Sequence, residues 1–295
     1  MPWISYPNRR RFLTTLAAFP AVAGSGAAVT RWAWLSDIHI AADPADVARG
    51  YRPHENLRKI VSQVLKASPA GALIDGDLAR LRGLPEDYRQ VRSHLLPLSK
   101  KMPVGLVLGN HDNRKNFLAG FGVEAPQTSG AFGFGKQCGV KSKYVVRAER
   151  PLVRYLLLDS LMRTDIVAGL LGTAQRAWLR DYLESAMPIP TLLFVHHTLD
   201  DRDTSLLDVE RMFRVIEPYK MVKAVVYGHS HAYKFDTWKG IHLVNIPSTA
   251  YNFAPEAPLG WVEAKLASEG AELTLHAIAG NRAGDGKTTS ISWRG

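Results

Sequence analysis

The chain has 295 residues, of which 46% are hydrophobic and 22% are charged. This composition is typical of a globular protein and excludes a disordered, collagen-like or coiled-coil chain. The length fits two average domains or one large α/β domain. The single cysteine, Cys138, excludes an internal disulfide framework, a thiolate zinc cluster and a Cys-x-x-Cys redox pair.

The chain is basic, with 37 Lys and Arg residues against 27 Asp and Glu residues. These basic residues are scattered among acids, and no block of five or six like charges occurs. A nucleic-acid groove would combine a continuous basic stripe with interleaved aromatic residues. We therefore expect no specific nucleic-acid binding, although a positive field would attract small anionic substrates.

The first 28 residues contain three arginines, at 9–11, and no acidic residue. Residues 8–14 read Asn-Arg-Arg-Arg-Phe-Leu-Thr and resemble the twin-arginine export motif, an arginine pair followed one residue later by Phe-Leu. The weakly apolar stretch from Phe12 to Val22 is too short and too rich in Ala, Thr and Pro for a transmembrane helix. The segment therefore resembles a cleavable signal.

Small residues after that stretch fit a cleavage site at Ala21-Val22-Ala23, with Ser25-Gly26-Ala27 as a second option. We expect residues 1–28 to be an export signal and residues 29–295 to form one domain, periplasmic or secreted and without a stable membrane span. A disordered basic tail and an uncleaved anchor are the alternatives for the first segment.

Short apolar runs alternate with helical patterns from residue 30 to residue 230. Apolar residues at i, i+3, i+4, i+7 and i+8 predict a helix over His54–Ala67, and Pro85 suits the first turn of the next helix. Similar patterns predict helices over Gln175–Leu183 and Leu206–Ile216. The predicted strands in this part are Trp32–Ser36, Ala72–Ile74, Val104–Leu108, Lys143–Ala148, Leu152–Leu158, Thr191–Val195 and Ala224–Tyr227.

Past residue 231 the pattern becomes all strand, over Ala232–Thr237, Ile241–Ile246, Gly260–Leu266 and Ala271–Ile278. We predict an α/β fold in which βαβ units build one mixed sheet and the later β-hairpins build a second sheet. The glycine-rich segment Gly120–Gly139 is a candidate lid or pocket wall.

Five polar clusters follow apolar runs, at the points where predicted strands end. The carboxyl ends of strands in an open α/β sheet line one crevice, so clusters far apart in the chain converge there. The spacing i, i+2 in two of the clusters would place both side chains on one face of extended backbone. The clusters are Asp37-Ile38-His39, Gly76-Asp77, Gly109-Asn110-His111-Asp112, His196-His197 and Gly228-His229-Ser230-His231.

These clusters offer two aspartates, one asparagine and four histidines as metal donors, without counting His111. Mixed oxygen and imidazole donors without thiolate favour Fe, Mn, Zn, Co or Ni over calcium. Seven side chains are too many for one such ion, but they suit two ions about 3.5–4 Å apart. We therefore predict a centre of two divalent or mixed-valence ions whose identity the sequence leaves open.

The order Asp-x-His, Gly-Asp, Gly-Asn-His-Asp, His, Gly-His-x-His resembles that of the calcineurin-like metallophosphoesterase superfamily across nearly all of residues 32–280. The resemblance implies a four-layer αββα sandwich of two mixed sheets and hydrolysis of phosphoric esters by a metal-bridging hydroxide. It implies that Asp77 bridges the two metals. It also implies that the first metal is held by Asp37, His39 and His231, and the second by Asn110, His196 and His229.

The resemblance assigns His111 no metal and makes it the residue that stabilises the phosphate and protonates the leaving alkoxide. Asp112 is placed to orient His111. Of the two adjacent histidines, His196 directly ends its strand and is the expected ligand, whereas His197 is expected behind it. Asp75 is expected to be structural, and surface or core roles are expected for His54, His94, His242 and His276.

Within this superfamily, the chain resembles the class III cyclic-nucleotide and glycerophosphodiester phosphodiesterases. The residues that carry this resemblance are 83–88, Val91-Arg92, Leu158-Asp159-Ser160, Gln175 and Trp178-Leu179. Purple acid phosphatases place a metal-binding tyrosine three residues after the Gly-Asp aspartate, where this chain has Arg80. His-His-Thr at 196–198 departs from the usual His-His-Pro, and an export signal would separate the enzyme from cytosolic cyclic nucleotides. We expect a phosphodiesterase with a small phosphoester substrate; the alternatives are a broad phosphomonoesterase and a metal-dependent binding scaffold.

Overall fold

The computed structural model describes residues 28–122 and 130–295. The predicted export signal therefore lies outside the described residues except for its last residue, and its boundary stays a prediction. Within the described ranges, no helix is both long and apolar enough to cross a membrane.

Helices and strands alternate in the first two thirds of the described chain, and strands alone follow. The helices are α1 (Pro53–Ala67), α2 (Pro85–Ser99), α3 (Arg114–Phe121), α4 (Thr173–Ser185) and α5 (Val209–Ile216). The strands are β1 (Thr30–Ser36), β2 (Gly71–Asp75), β3 (Val104–Val107), β4 (Lys136–Cys138), β5 (Val145–Glu149), β6 (Arg154–Leu158), β7 (Thr191–Val195), β8 (Val222–Tyr227), β9 (Lys234–Trp238), β10 (Ile241–Asn245), β11 (Pro258–Leu266), β12 (Gly270–Gly280) and β13 (Thr288–Ser292).

The strands form two mixed sheets. Six strands have the order β13-β12-β11-β1-β2-β3, and seven have the order β4-β5-β6-β7-β8-β10-β9. In the first sheet β1, β2 and β3 are parallel, whereas β11 runs antiparallel to β1. In the second sheet the parallel strands are β6, β7, β8 and β10. Each sheet therefore carries a parallel block whose strands end on one side.

The two sheets face each other across a layer of aromatic side chains. Trp32 and Trp34 are two residues apart on β1, so their side chains point to the same face of the sheet, and both are buried. The Trp34 ring lies edge-on to Phe194 of β7 at 5.4 Å between centroids, and the Trp32 ring lies 4.8 Å from Tyr155 of β6. Large apolar rings removed from water in this way contribute strongly to stability. This layer fixes the first parallel block against the second.

Helices cover the outer faces of both sheets. On α1, Leu57, Ile60 and Val64 are buried in the core that includes the first sheet. Leu179 of α4 and Met212 of α5 belong to a second core built on the other sheet. The order helix, sheet, sheet, helix confirms the predicted four-layer αββα fold, although the edge strands β9 and β13 remain largely exposed.

The predicted division of strands between the sheets is wrong. The C-terminal hairpin of β11, β12 and β13 does not form a sheet of its own but extends the first sheet, because β11 pairs with β1. The hairpin of β9 and β10 extends the other sheet through β8. The first parallel block is therefore extended by antiparallel strands from a distant part of the chain, whereas the second gains the parallel strand β10 and the antiparallel strand β9, which follow β8 directly.

Local predictions agree with the structure in the type of most elements, with shifted ends. Pro53 and Pro85 begin α1 and α2, as the fixed φ of proline favours. The predicted helix from Leu206 begins only at Val209, because the Leu206 amide donates to the Thr198 carbonyl. The short elements α3, β4 and β13 were not predicted.

The described part of Gly120–Gly139 does not line the cavity at the metal-ligand groups, as a lid over that site would, but residues 136–139 form a wall of a second cavity. Residues 123–129 lie outside the described residues. In the remainder, Phe134 is buried against Trp32 and Tyr155, and β4 pairs with β5. These residues are held in the core because the glycines admit large neighbouring groups, as at Gly135 beside the Arg147 carbonyl.

Candidate metal centre

The five polar clusters converge at the carboxyl ends of the two parallel blocks. Clusters with Asp37, Asp77 and Asn110 follow β1, β2 and β3 of one sheet, whereas those with His196 and His229 follow β7 and β8 of the other. Hydrogen bonds tie the segments together: the Asp37 amide donates to the Gly76 carbonyl, and the Gly228 amide donates to the His196 carbonyl. The site is therefore shared between the sheets.

Three overlapping groups of side chains in this region have the spacing of metal ligands, and one of them is His39, Asp77 and His111. The carboxylate of Asp37 lies with His39 and His231, and that of Asp77 lies with His196 and His229. Within each group, the potential ligand atoms lie within 4.8 Å of one another. The groups of Asp37 and of His196, here called the two ligand groups, match the predicted ligand sets except for Asn110, whereas the third group includes His111, which the resemblance assigned no metal.

Asp77 lies between the two groups. Its Oδ2 atom is 3.4 Å from Nε2 of His196 and 3.7 Å from Nε2 of His39. Its Oδ1 atom accepts a hydrogen bond from the His111 amide at 2.8 Å. One carboxylate oxygen is therefore within reach of a ligand from each group, as a bridging aspartate requires.

Several buried polar atoms in the site have no hydrogen-bond partner in the described part of the protein. They are Asp37 Oδ1, Asn110 Oδ1 and His196 Nε2. A buried polar atom without a partner costs about 1–3 kcal/mol, so three in one place need compensation. All three are metal-ligating atoms from the predicted set, and a pair of cations would satisfy them. The donors present therefore fit a two-metal centre.

Five of the ligand residues have left-handed backbone, which corrects the expectation of extended backbone. The φ angles are 51° at Asp37, 43° at His39, 45° at Asp77, 67° at His229 and 53° at His231. Such angles are uncommon for residues other than glycine and concentrate at functional sites. The side chains converge because the chain turns sharply after each strand, and not because of strand alternation.

Backbone carbonyls hold the imidazole rings through the nitrogen that faces away from the site. His196 Nδ1 lies 2.8 Å from the Asp75 carbonyl, and His231 Nδ1 lies 2.5 Å from the Tyr251 carbonyl. For His229 the roles of the nitrogens are reversed, with Nε2 at 3.1 Å from the Thr204 carbonyl. Because a carbonyl can only accept, each ring presents its other nitrogen as a lone-pair ligand.

Burial and neighbouring charges shift the pKa values of the ionisable groups in the site. Burial alone would lower the pKa of His196, but the carboxylates of Asp77 and Asp37 raise it to about 10. Burial lowers the pKa of His39 to about 3 and that of His229 to about 4. Although burial opposes ionisation of Asp37, His231 and His196 hold its pKa well below the usual range. The two carboxylates thus remain charged and demand a positive partner.

His111 lies at the edge of the site and lines its pocket. Its Nδ1 atom is 2.9 Å from the Leu81 carbonyl, which leaves Nε2 as the nitrogen that Leu81 does not engage. The prediction that Asp112 orients His111 is wrong. Asp112 accepts bonds from the amides of Leu78, Ala79 and Gly109 and from the Tyr88 hydroxyl, at 2.9–3.2 Å. It therefore holds the loops that carry Asp77 and Asn110.

The remaining histidines and Asp75 do not belong to the metal-ligand groups of the described structure. His197 is buried with Nδ1 at 2.7 Å from Ser160 Oγ, and its ring lies behind that of His229. Neither carboxylate oxygen of Asp75 has a hydrogen-bond partner, and burial raises its pKa well above the usual value. His54, His94, His242 and His276 are absent from the pocket lining.

The metal-ligand groups open into a cavity of about 450 Å³. Beyond the ligands, its wall includes Tyr227, Lys234 and Tyr251, together with Arg202 from the segment before α5. Arg80, at the position of the purple acid phosphatase tyrosine, does not line this cavity and pairs with Asp46 at 3.0 Å. The cavity is large enough for a small phosphoester.

The sequence reasoning missed the residues that position the ligands from outside the five clusters. The Tyr251 and Thr204 carbonyls hold His231 and His229, and the Phe253 ring stacks on His231 at 4.2 Å between centroids. A weak signal was present in the polar run Pro247-Ser248-Thr249, which follows an apolar strand as the other clusters do. Every residue has a backbone carbonyl, so the sequence does not show which carbonyls hold the imidazoles.

Comparison with known proteins gives a family match and sequence relatives. Residues 30–233 match the family model of the calcineurin-like phosphoesterases. A probable cyclic nucleotide phosphodiesterase of Vesicomyosocius okutanii is 28% identical over 244 residues, which cover 82% of this chain and 95% of the relative. The 3',5'-cyclic adenosine monophosphate phosphodiesterase CpdA of Haemophilus influenzae is 24% identical over 252 residues, 80% of this chain and 85% of the relative.

Two solved structures share the fold at low sequence identity. A dimetal phosphatase from Danio rerio has a TM-score of 0.66 and 15% identity, covering 90% of this chain and 99% of that one. The purple acid phosphatase PPD1 of yellow lupin has a TM-score of 0.63 and 17% identity. The match covers 90% of this chain but only 54% of the lupin chain. At these identities the likeness concerns the fold alone.

The shared position of Asp77 generates a prediction. Replacing Asp77 with Asn removes the negative charge between both ligand groups, so Asp77→Asn should lower metal content from two equivalents to one or fewer. His94→Gln, outside the cavity, is the matched control and should retain both. Elemental analysis of dialysed protein measures the ratio. Two tightly held equivalents in the Asn variant would remove the bridging assignment.

Proposed function

The chain belongs to the calcineurin-like phosphoesterase family and is a metal-dependent phosphoester hydrolase; we propose that it is a phosphodiesterase acting on a small cyclic nucleotide. The observation that carries the proposal is the position of Asp77, whose Oδ2 lies within 3.7 Å of a histidine of each ligand group, beside buried ligand atoms that have no partner in the described structure. The names of its sequence relatives support the substrate class, and the cavity of about 450 Å³ has room for it.

We propose that Asp37, His39 and His231 hold one cation, that Asn110, His196 and His229 hold the other, and that Asp77 contacts both. Two bound cations would activate a water for attack on phosphorus and neutralise the charge that builds on the phosphoryl oxygens. Asn110 would contribute a neutral oxygen. It therefore neutralises less of the charge of its cation than a carboxylate would. The carbonyls of Asp75, Tyr251 and Thr204 keep the imidazoles aimed at the centre.

His111 is the proposed proton donor. Donation from its Nδ1 to the Leu81 carbonyl fixes the ring beside the cavity, and Nε2 can carry the proton for the leaving oxygen. The backbone amide of His111 donates to Asp77, and this bond holds the proposed proton donor next to the shared carboxylate. In a cyclic nucleotide the protonated leaving oxygen stays attached to the product as a ribose hydroxyl.

The substrate class is tested with metal-loaded protein and matched esters. The expected result is a higher kcat/KM for a 3',5'-cyclic nucleotide than for the corresponding 5'-monophosphate, because the mechanism needs no second ionised oxygen on the substrate. Phosphate and nucleotide release are measured by chromatography. Preference for the monophosphate would replace the proposal with a phosphomonoesterase, and no turnover of either by fully metallated protein would favour a binding scaffold.

The role of His111 predicts a leaving-group effect. In His111→Ala, kcat for an alkyl ester should fall by roughly 10²–10⁴, the contribution of a positioned proton donor, with metal content unchanged. A nitrophenyl ester should lose much less, because a nitrophenolate departs without a proton. His242→Ala is the control, since His242 bonds to the Ser292 carbonyl away from the cavity. Equal losses for both esters would assign His111 to phosphate binding alone.

We propose that the protein is exported by the twin-arginine route, on the motif at residues 8–14, so that its substrate would be a cyclic nucleotide outside the cytoplasm. Replacing Arg9, Arg10 and Arg11 with Lys should leave active, unprocessed protein in the cytoplasm, since these residues serve the translocation receptor. Cell fractionation with immunodetection measures the outcome. Lys substitution of the exposed Arg89, Arg180 and Arg214 is the control and should leave export intact. Normal export of the first variant would exclude this route.

A further inference from the structure

A second cavity, of about 510 Å³, lies at the amino ends of β6 and β7. Arg154 begins β6 and pairs with Thr191, which begins β7. The metal-ligand groups follow the carboxyl ends of the parallel strands, so this cavity lies at the opposite end of the same sheet. It is built from the edge strand β4 and its neighbour β5 on one side and from α4 on the other.

One wall of this cavity combines aromatic rings with cations. Trp178 and Tyr182, one turn apart on α4, stack at 5.4 Å between centroids with an interplanar angle of 10°. The guanidinium groups of Arg147 and Arg154 lie 5.4 Å and 5.5 Å from the centroid of the Tyr182 ring. Flat apolar surface and positive charge are therefore presented side by side.

Two deeply buried side chains in the cavity lining keep polar atoms without a hydrogen-bond partner in the described structure. Arg154 is only 1% exposed; its Nη1 donates to the Met187 carbonyl and to Thr191, and its Nε has no hydrogen bond, only the longer contact to Glu149 at 3.6 Å. Gln137 is 7% exposed and its Oε1 is unpartnered. Buried polar groups in folded proteins nearly always have partners. The Gln137 acceptor therefore lacks a partner beside this cavity, and the Arg154 donor has only its long contact to Glu149 to give up to a ligand.

The charges of the cavity are only partly balanced from within. Glu149 lies 3.7 Å from Arg147 and 3.6 Å from Arg154, and it also accepts from the Tyr182 hydroxyl at 3.2 Å. One carboxylate that is 53% exposed faces two guanidinium groups. The arginines retain an excess positive charge, and Glu149 would compete with any anion that approaches them.

We propose that this cavity is a binding site for a small oxyanion carried on a flat ring, separate from the metal centre. The arginines bind the oxyanion by charge-assisted hydrogen bonds, and the half-buried Trp178 provides the surface on which the ring lies. Gln137 accepts a hydrogen bond from a donor on the ring. Neither an anion without a ring nor a ring without an anion satisfies both parts of the site.

Phenylphosphonate is the probe, because it combines a flat ring with an oxyanion and has no ester bond to hydrolyse. Added to metal-loaded full-length protein, it should produce a saturating change in tryptophan fluorescence that is absent in Trp178→Phe. Methylphosphonate and benzyl alcohol each supply one half of the probe and should bind at least about tenfold more weakly, an affinity difference of about 1.4 kcal/mol. Binding of methylphosphonate with equal affinity would contradict the ring contact.

Two variants should change the probe's Kd in opposite directions. Arg147→Gln should weaken binding about tenfold through loss of a charge-assisted contact, a loss of about 1.4 kcal/mol, whereas Glu149→Gln should tighten it by removing the competing carboxylate. Arg180→Gln, on the exposed face of α4, is the control and should leave the Kd unchanged. The same response in both variants, or none, would overturn the site. Hydrolysis by the metal centre should be unaffected by all three substitutions, which separates this proposal from the proposed function.

Discussion

The carboxylate of Asp77 is the group on which the rest of the site depends. Its Oδ2 lies within 3.7 Å of histidines from both ligand groups, and its Oδ1 holds the amide of His111. A Cβ at Gly109 would overlap this carboxylate, so the chain after β3 must carry glycine there. One buried negative charge thus determines the spacing of both ligand groups and the position of the proposed proton donor.

Burying such charges requires compensation from both sheets. Asp37 and Asp77 follow strands of the first sheet, whereas His196, which lies near both carboxylates, follows a strand of the second. Since an unpaired buried charge is strongly destabilising, the sheets must remain fixed against each other. The aromatic layer of Trp32, Trp34 and their partners across the sheets provides that rigidity.

The same architecture separates two kinds of site. At the carboxyl ends of the parallel strands, the negative charge of the carboxylates is greater than the positive charge around them, so this end attracts cations. At the amino ends, Arg147 and Arg154 outnumber Glu149 and attract anions. The parallel blocks thus present opposite charge requirements at their two ends, because different loops and strand starts supply the side chains there.

The sequence by itself determined the chemistry of the metal centre and the class of fold. Polar clusters after apolar runs identify Asp37, Asp77, Asn110 and His196 because strand ends converge in any open α/β sheet. The clusters also separate the aligned His196 from the neighbouring His197. Helix positions followed from periodicity, which is a local property.

Tertiary structure decided what depends on contacts between distant segments. The pairing of β11 with β1, rather than within a separate sheet, is set by register across more than 200 residues and leaves no local pattern. The left-handed turns at the ligands and the role of Asp112 arise from loops packed against one another. The carbonyls of Tyr251 and Thr204 position two imidazoles through backbone atoms, which every residue carries, so only the folded chain could reveal them.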